Sequence, residues 1–265
     1  MKAEQLFSIE GQVAVVTGAA AGLGRAYAEV LAANHAHVVL TDIDPGGLAD
    51  AVAEIQARGG SAEALVLDSG DRDAIGAAID KIAAAAGRLD IVFANAGISA
   101  GPGFAFTPGG LMEQVRPEVW DRVLAVNLTG VFATIRAAAQ HMKAARRGRI
   151  IVTASIAGMR AETLVGYAYS ATKAAVINLV RHTAMELAPY SVTVNAIAPG
   201  PFATNIAGGR MRDPTVRERF AKLVPMQRVA DPDEIKGLAL LLASPASAFI
   251  TGTVIPIDGG ATAGS

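Results

Sequence analysis

QVAVVTGAAAGLGRAYAEVLAAN, running from Gln12 to Asn34, is the stretch on which the fold turns. Gln12 to Thr17 is an unbroken apolar run ended by glycine, the pattern of a strand buried on both faces. Beyond the turn, Leu23, Ala26, Tyr27, Val30 and Leu31 fall at i, i+3, i+4, i+7 and i+8, one face of a helix. Between them lies Thr17-Gly18-Ala19-Ala20-Ala21-Gly22-Leu23-Gly24. A turn that lets backbone approach a pyrophosphate needs residues without side chains, and the helix that follows offers its free N–H groups and positive dipole end. Glycine triplets arise by chance in a chain with 28 glycines. The position between a strand and an amphipathic helix is what makes this one a binding loop.

Working outward, the same alternation continues. Further strands are expected at His37 to Thr41, Ala62 to Leu67, Asp90 to Ala94, Arg149 to Thr153, Val192 to Ile197 and Thr253 to Ile257. Helices are expected at Gly46 to Arg58, Pro117 to Lys143 and Tyr169 to Leu187. Continuous apolar strands alternating with helices imply an α/β fold, a mostly parallel sheet covered on both faces. No linker, composition shift or repeat divides the chain, so residues 1–265 read as one Rossmann-type domain. Two segments interrupt the rhythm, 98–117 and 201–226, the second carrying Gly208, Gly209 and Pro214. Each follows a strand end, where ligands gather in open α/β sheets; they read either as surface loops or as the rim of a substrate site.

Composition excludes several classes. With 52% hydrophobic and 18% charged residues the chain can bury a sizeable core. A net charge of −1 gives no reason to expect nucleic acid or an acidic membrane as partner. The absence of cysteine removes disulfides, thiolate catalysis and cysteine metal sites. Met1 to Glu10 has no apolar core of a signal peptide, and Gly237 to Ile250 is too short to span a bilayer. A cytoplasmic protein is expected.

Asp42 ends the second strand, 18 residues beyond Gly24. A carboxylate there accepts hydrogen bonds from both adenosine ribose hydroxyls and repels a 2′-phosphate. Ala21 and Ile43 beside it carry no charge, which favours NAD over NADP. Asp44 reads as part of the turn with Pro45 and Gly46.

Tyr169 and Lys173 are four apart on an expected helix and share a face. A free phenol, pKa about 10, is a poor base near neutrality, and a neighbouring ammonium favours the phenolate. Of the four tyrosines only Tyr169 has a lysine at this spacing; Tyr167 meets Ala171. Ser155, at the end of the strand Arg149 to Thr153, can hydrogen-bond a substrate carbonyl and stabilise a developing alkoxide. Asn127 lies inside a long apolar helix. It reads equally as a core amide satisfied by backbone or as a helix distortion holding water for a proton relay.

These residues together resemble the short-chain dehydrogenase/reductases, and the resemblance runs from about Ile9 to Gly260. Thr17 to Gly24 fits that family's T-G-x-x-x-G-x-G loop, which assigns Gly18, Ala21, Gly22, Leu23 and Gly24 to the cofactor. Asn95-Ala96-Gly97 fits its N-A-G element, although the usual asparagine before it is Ala94 here. Asp68, with Ser69 after it, matches the acidic position that contacts adenine. Asn127, Ser155, Tyr169 and Lys173 match the catalytic tetrad. Pro199-Gly200, then Phe202 and Thr204, match the P-G-x-x-x-T segment, whose threonine bonds the nicotinamide carboxamide; backbone at Ile197 is expected in the same pocket. The resemblance implies a seven-stranded Rossmann sheet, NAD as cofactor, and a homotetramer or homodimer built partly through the two long helices. It also implies that Tyr169 transfers the proton, Lys173 lowers its pKa and holds the nicotinamide ribose, Ser155 orients the substrate oxygen, and Asn127 maintains the water relay. Asp258-Gly259-Gly260 looks like the family's tail, packing near subunit contacts.

The expected activity is therefore an NAD(H)-dependent interconversion of a secondary alcohol and a ketone. Alternatives are a non-catalytic dinucleotide-binding sensor, which would be expected to lack Tyr169 or Lys173, and an NADP(H)-dependent 3-oxoacyl-type reductase. An epimerase or dehydratase usually adds a substrate domain that 265 residues do not accommodate. His35, His37, His141 and His182 show no metal-ligand spacing. Ser99, Phe104, Phe106, Met159, Arg160, Glu162, Leu164, Phe202 and Ile206 are the candidate rim, mostly apolar with two charges. It favours a medium-sized hydrophobic or ring-containing ketone or alcohol, with polyols and acyl-carrier thioesters open.

Overall fold

The computed structural model describes residues 2–206, 209, 211 and 213–264, so Gly208 lies outside the described residues. After a short helix α1 (Ala3–Leu6), the chain runs β1 (Val13–Thr17), α2 (Gly22–Ala33), β2 (His37–Asp42), α3 (Pro45–Ala57), β3 (Ser61–Val66), α4 (Arg72–Ala86) and β4 (Ile91–Ala94). It continues through α5 (Pro117–Leu124), α6 (Val131–Ala145), β5 (Gly148–Thr153), α7 (Tyr167–Leu187), β6 (Val192–Pro199), α8 (Pro214–Ala221), α9 (Lys236–Ala243) and β7 (Val254–Ile257). The seven strands form one parallel sheet in the order β3-β2-β1-β4-β5-β6-β7. The order reverses between β1 and β4, and a crevice opens there at the carboxyl ends of the strands.

Alternation along the strands feeds two cores. Val13, Val15, Val92, Ala94, Ile150, Val152, Val194 and Ala196 point to one face, against Ile75 and Ile79 of α4, Ile135 and Met142 of α6, and Val176 and Val180 of α7. Ala14, Val16, Ile91, Phe93, Ile151 and Ile197 point to the other, against Tyr27 and Leu31 of α2, Leu48 and Ile55 of α3, and Ala239 and Leu242 of α9. Each fully buried Val, Leu or Ile contributes about 1.5–3 kcal/mol. Both faces are thus covered, which is why the strands read as unbroken apolar runs.

The long helix expected at Pro117 to Lys143 is present but interrupted. Between α5 and α6, Ala125–Gly130 winds as one π-helical segment. Asn127 within it is fully buried. Its Oδ1 accepts from Ile98 N at 2.8 Å and its Nδ2 donates to Ile98 O at 2.9 Å. The amide is thus satisfied by backbone, on a segment where the helix is distorted. The run Pro117–Ala145 is long and apolar enough to cross a bilayer by length and composition. Here its apolar side packs on the sheet and against α4. On the outward side, Phe132 of α6 and Met185 of α7 are 49% and 79% exposed; Phe132 borders a shallow apolar depression with Leu128 and Leu179.

Helix α7 starts at Tyr167, two residues before the expected Tyr169. Gly166, in extended backbone, caps it, and its carbonyl accepts from Tyr169 N at 3.1 Å. Tyr169 is thereby held in the first turn, at the cleft end of the helix, with Lys173 one turn deeper. The two irregular segments contain structure of their own. Pro102 pairs with Val165, and Phe202 with Ala230; α8 lies within 201–226.

Candidate active site

The glycine loop comes first because β1 delivers it to the crevice. Gly18 and Gly22 have φ of +68° and +58°, conformations that side-chain-bearing residues rarely adopt. A Cβ at Gly18 would sit 2.8 Å from Ala96 Cα, and one at Gly24 would collide with the Gly18 carbonyl oxygen. Ala21, the residue before α2, caps it with no side-chain hydrogen bond, so the first N–H groups of this 12-residue helix face the cleft. That bare cradle fits a pyrophosphate.

Asn95 holds the loop in place. Its Nδ2 donates to Thr17 O at 2.9 Å and Gly18 O at 3.1 Å, while its Oδ1 accepts from the Thr153 hydroxyl at 2.9 Å. The Thr17 hydroxyl in turn accepts from the backbone N of Asn95 and of Ala96, both at 3.0 Å. The Asn95 amide is thus committed to protein groups, although the residue also lines the cleft.

Asp42 stands at the end of β2 on the cleft wall with Ile43. Its Oδ2 accepts from Ala20 N at 3.0 Å and its Oδ1 from Asp44 N at 3.1 Å, which fixes the carboxylate on the cleft wall. Asp44 caps α3 instead, accepting from Gly46 N at 3.0 Å. Asp68 also lines the cleft, beside Ser69. Its Oδ1 accepts from Gly70 N at 2.7 Å and from Arg122 Nη2 at 2.9 Å. The Arg122 guanidinium holds this carboxyl below its usual range. Arg122 lies on α5, 54 residues away in sequence, and no local pattern marks it.

At the other end, Ser155 caps a short 3-10 turn, Ile156–Gly158, and its Oγ accepts from Ala157 N at 3.1 Å. Ser155, Tyr169 and Lys173 line the same wall. Lys173 is 2% exposed; its Nζ donates to Thr153 O at 2.6 Å and lies 5.6 Å from the centre of the Tyr169 ring. Burial pushes this ammonium down to about 8. The Tyr169 phenol lies above its ordinary value: burial raises it and a hydrogen bond with Ser155 works in the opposite sense. Lys173 stands near the ring, but in the cofactor-free protein the phenol is raised rather than lowered as the spacing led us to expect.

Asn127 is not on the cleft wall; Val126 is. A Cβ at Gly97 would approach Lys173 Nζ at 3.5 Å and Asn127 Oδ1 at 3.6 Å, so both polar ends gather behind that glycine. Pro199, Gly200, Phe202 and Thr204 line the cleft as expected. Thr204 lies over the glycine loop, its Cγ2 3.3 Å from where a Gly22 Cβ would be. Ile197 does not line it: the side chain is buried and its carbonyl accepts from Ala154 N at 2.8 Å.

Of the expected rim, Ser99, Arg160, Glu162, Leu164, Phe202 and Ile206 face the cleft, and Phe104, Phe106 and Met159 do not. Phe104 stacks on Tyr167 at 6.2 Å, and Phe106 packs against Phe220 at 5.9 Å beneath Arg219. Phe106 thereby bridges the two rim segments. Sequence reading missed Val224 and Ala261, which line the cleft and form a small buried cluster with Ile156. The tail segment Asp258-Gly259-Gly260 is held there, Met226 N donating to Gly259 O at 3.2 Å.

Residues 18–262 match the family described as enoyl-(acyl carrier protein) reductase. The chain is 39% identical to cis-4-hydroxycyclohexanecarboxylate dehydrogenase of Sinomonas cyclohexanicum, across 95% of this chain and 97% of the relative. It belongs to the short-chain dehydrogenase/reductases. A second relative of this short-chain dehydrogenase/reductase is a 3-oxoacyl-[acyl-carrier-protein] reductase of Thermotoga maritima, 35% identical across 95% of this chain and 98% of that one. A solved structure from Agrobacterium tumefaciens with bound NADP superposes with a TM-score of 0.84, at 33% identity, covering 97% of this chain and 98% of that one. The protein is thus an oxidoreductase acting on CH–OH donors, of a family that binds nicotinamide dinucleotides.

Proposed function

We propose that this short-chain dehydrogenase/reductase uses NAD to interconvert a ring-containing secondary alcohol and its ketone, with Tyr169 as general base and acid. The observation that carries the reading is the joint placement of Ser155, Tyr169 and Lys173 on the wall of a cleft whose other end is the glycine cradle. The Ala157 N–H occupies one lone pair of the Ser155 hydroxyl, and the bond between Ser155 and Tyr169 holds the two oxygens side by side, where both can meet the substrate oxygen. The phenolate takes the alcohol proton; in reduction the phenol returns it to the developing alkoxide. Lys173, fixed by the Thr153 carbonyl, supplies a buried positive charge to the phenolate once that proton has left. A bound nicotinamide dinucleotide supplies the hydride acceptor and a positive ring that opposes the cost of a buried phenolate.

The choice of NAD rests on Asp42. Its carboxylate is tethered to the N–H groups of Ala20 and Asp44 and cannot swing away from a 2′-phosphate without leaving two donors unpaired. Arg122, a cation on the cleft wall, is engaged with Asp68. Asp42→Ala is expected to weaken NAD about tenfold or more and to affect NADP less. Matched kcat/KM values with both cofactors read this, and an unchanged ratio would remove Asp42 as selector.

The ring preference rests on the apolar lining, with Ile156, Leu164, Phe220 and Val224 on the substrate side, and on the ring alcohol named for the Sinomonas relative. We also infer that the exposed apolar side of α6 and α7, at Phe132 and Met185, packs on a second copy of the chain. Light scattering should return a multiple of the 27.0 kDa chain mass; a monomer at micromolar concentration would exclude it.

A further inference from the structure

We propose that Arg160 and Glu162 form a charge-balanced specificity element, selecting alcohols that carry a second, uncharged oxygen away from the reacting carbinol. The inference rests on the alcohol dehydrogenase reading above and names the substrate class for the same site.

Both side chains line the cleft, together with the apolar Ile156, Leu164, Phe220 and Val224. Arg160 lies two residues beyond the turn that Ser155 caps, its N–H donating to Ile156 O at 3.1 Å. Its Nε donates to Glu162 Oε1 at 2.9 Å. The two side chains are 31% and 16% exposed, so this is not a freely solvated surface pair. A partly buried ion pair in apolar surroundings repays its desolvation poorly unless its remaining hydrogen-bonding capacity is used.

That capacity is considerable. Arginine has five N–H donors in a planar fork, and among the described residues only the Nε of Arg160 is bonded to a side chain. Its two Nη groups and Glu162 Oε2 have no protein partner among the described residues. The pair therefore offers donors and an acceptor side by side. A hydroxyl can accept from Nη and donate to Oε2, and a ketone or ether oxygen can accept from Nη.

Charge decides between a neutral oxygen and a carboxylate. A substrate anion reaching Arg160 would also meet Glu162, whose negative charge lies against the guanidinium and cancels most of its field. It would lose its hydration for little net attraction. A hydroxyl loses far less solvation and makes the same hydrogen bonds. The element thus attracts one class and repels the other.

The test compares kcat/KM of the purified enzyme with NAD for cyclohexanol, cyclohexane-1,4-diol and 4-hydroxycyclohexanecarboxylate. The wild-type enzyme should prefer the diol to cyclohexanol by about tenfold and turn over the carboxylate more poorly than the diol. In Glu162→Gln, where Arg160 is no longer balanced, the carboxylate-to-diol ratio should rise about tenfold or more. In Arg160→Met the diol-to-cyclohexanol ratio should fall towards one. A wild-type preference for the carboxylate overturns the proposal without any variant, as does a ratio that Glu162→Gln leaves unmoved. Turnover of all three without discrimination sinks this inference and leaves the dehydrogenase reading standing; turnover of none removes both.

Discussion

Tyr169→Phe is expected to lower kcat for alcohol oxidation by about 10²–10⁴-fold while NADH binding, followed by fluorescence titration, changes little. The phenol hydroxyl is the only atom removed. The first turn of α7 is held by the Gly166 cap, and Ala168, Thr172 and Val176 are buried on the same helix, all of which the substitution leaves in place. The pH profile separates a proton-transfer role from a packing role. Oxidation needs the deprotonated phenol, and burial holds this phenol above its ordinary value. The oxidation rate of the unaltered enzyme should therefore climb with pH above neutrality, as the proton comes off, and the reduction rate should fall. In Tyr169→Phe the dependence should flatten in both directions. A variant that keeps the slope, or keeps turnover within tenfold, would take the tyrosine out of the chemistry.

Lys173→Met should move activity and stability in opposite directions. Turnover is expected to fall about 10²-fold or more, because the phenolate loses the positive charge held 5.6 Å from its ring. Stability of the cofactor-free protein should rise. In the native state burial lowers the ammonium from 10.5 to about 8, a cost of roughly 3 kcal/mol at pH 7. Methionine removes that cost but leaves the Thr153 carbonyl without its donor, which gives back about 1–2 kcal/mol. A net gain of about 1–2 kcal/mol corresponds to about 2–4 °C in Tm for a chain of this size.

The sign of the pH effect follows from linkage. Below about pH 8 the lysine is charged in both folded and unfolded chains, and the full penalty applies. Between about 8 and 10.5 the folded chain loses its proton first, so the unaltered protein gains stability as pH rises. The advantage of the methionine variant should accordingly shrink across that window and reverse towards its upper end, where only the lost Thr153 bond remains. A variant less stable than the parent at pH 7 would show that the Thr153 bond outweighs the burial of the charge.

Sheet, helices and strand ends were legible because each is written locally. Unbroken apolar runs at Val13 to Thr17 and Val192 to Ile197 report strands covered on both faces, and the spacing of Leu23, Tyr27 and Leu31 reports the helix between sheet and solvent. Glycines at 18, 22 and 24 announce a backbone that something must approach closely. The four-residue step from Tyr169 to Lys173 places both on one helical face in any α-helix. Element boundaries moved by a residue or two; α7, for one, starts at Tyr167, so that Tyr169 is its third residue rather than its first.

Other features depend on which strands become neighbours, and no local pattern encodes that. Arg122 reaches Asp68 across 54 residues because the chain around α5 and the π-helical segment packs on Ser69 and Gly70, just beyond β3. Ala261 meets Ile156 and Val224 because β7 lies next to β6 at the edge of the sheet. The same is true of the acidity of the two central groups. Spacing brings Lys173 near Tyr169, but burial and the Thr153 carbonyl, supplied by β5, decide how much positive charge it has to offer. Period and spacing are properties of a segment; desolvation belongs to the assembled molecule, because it depends on everything that displaces water from the group.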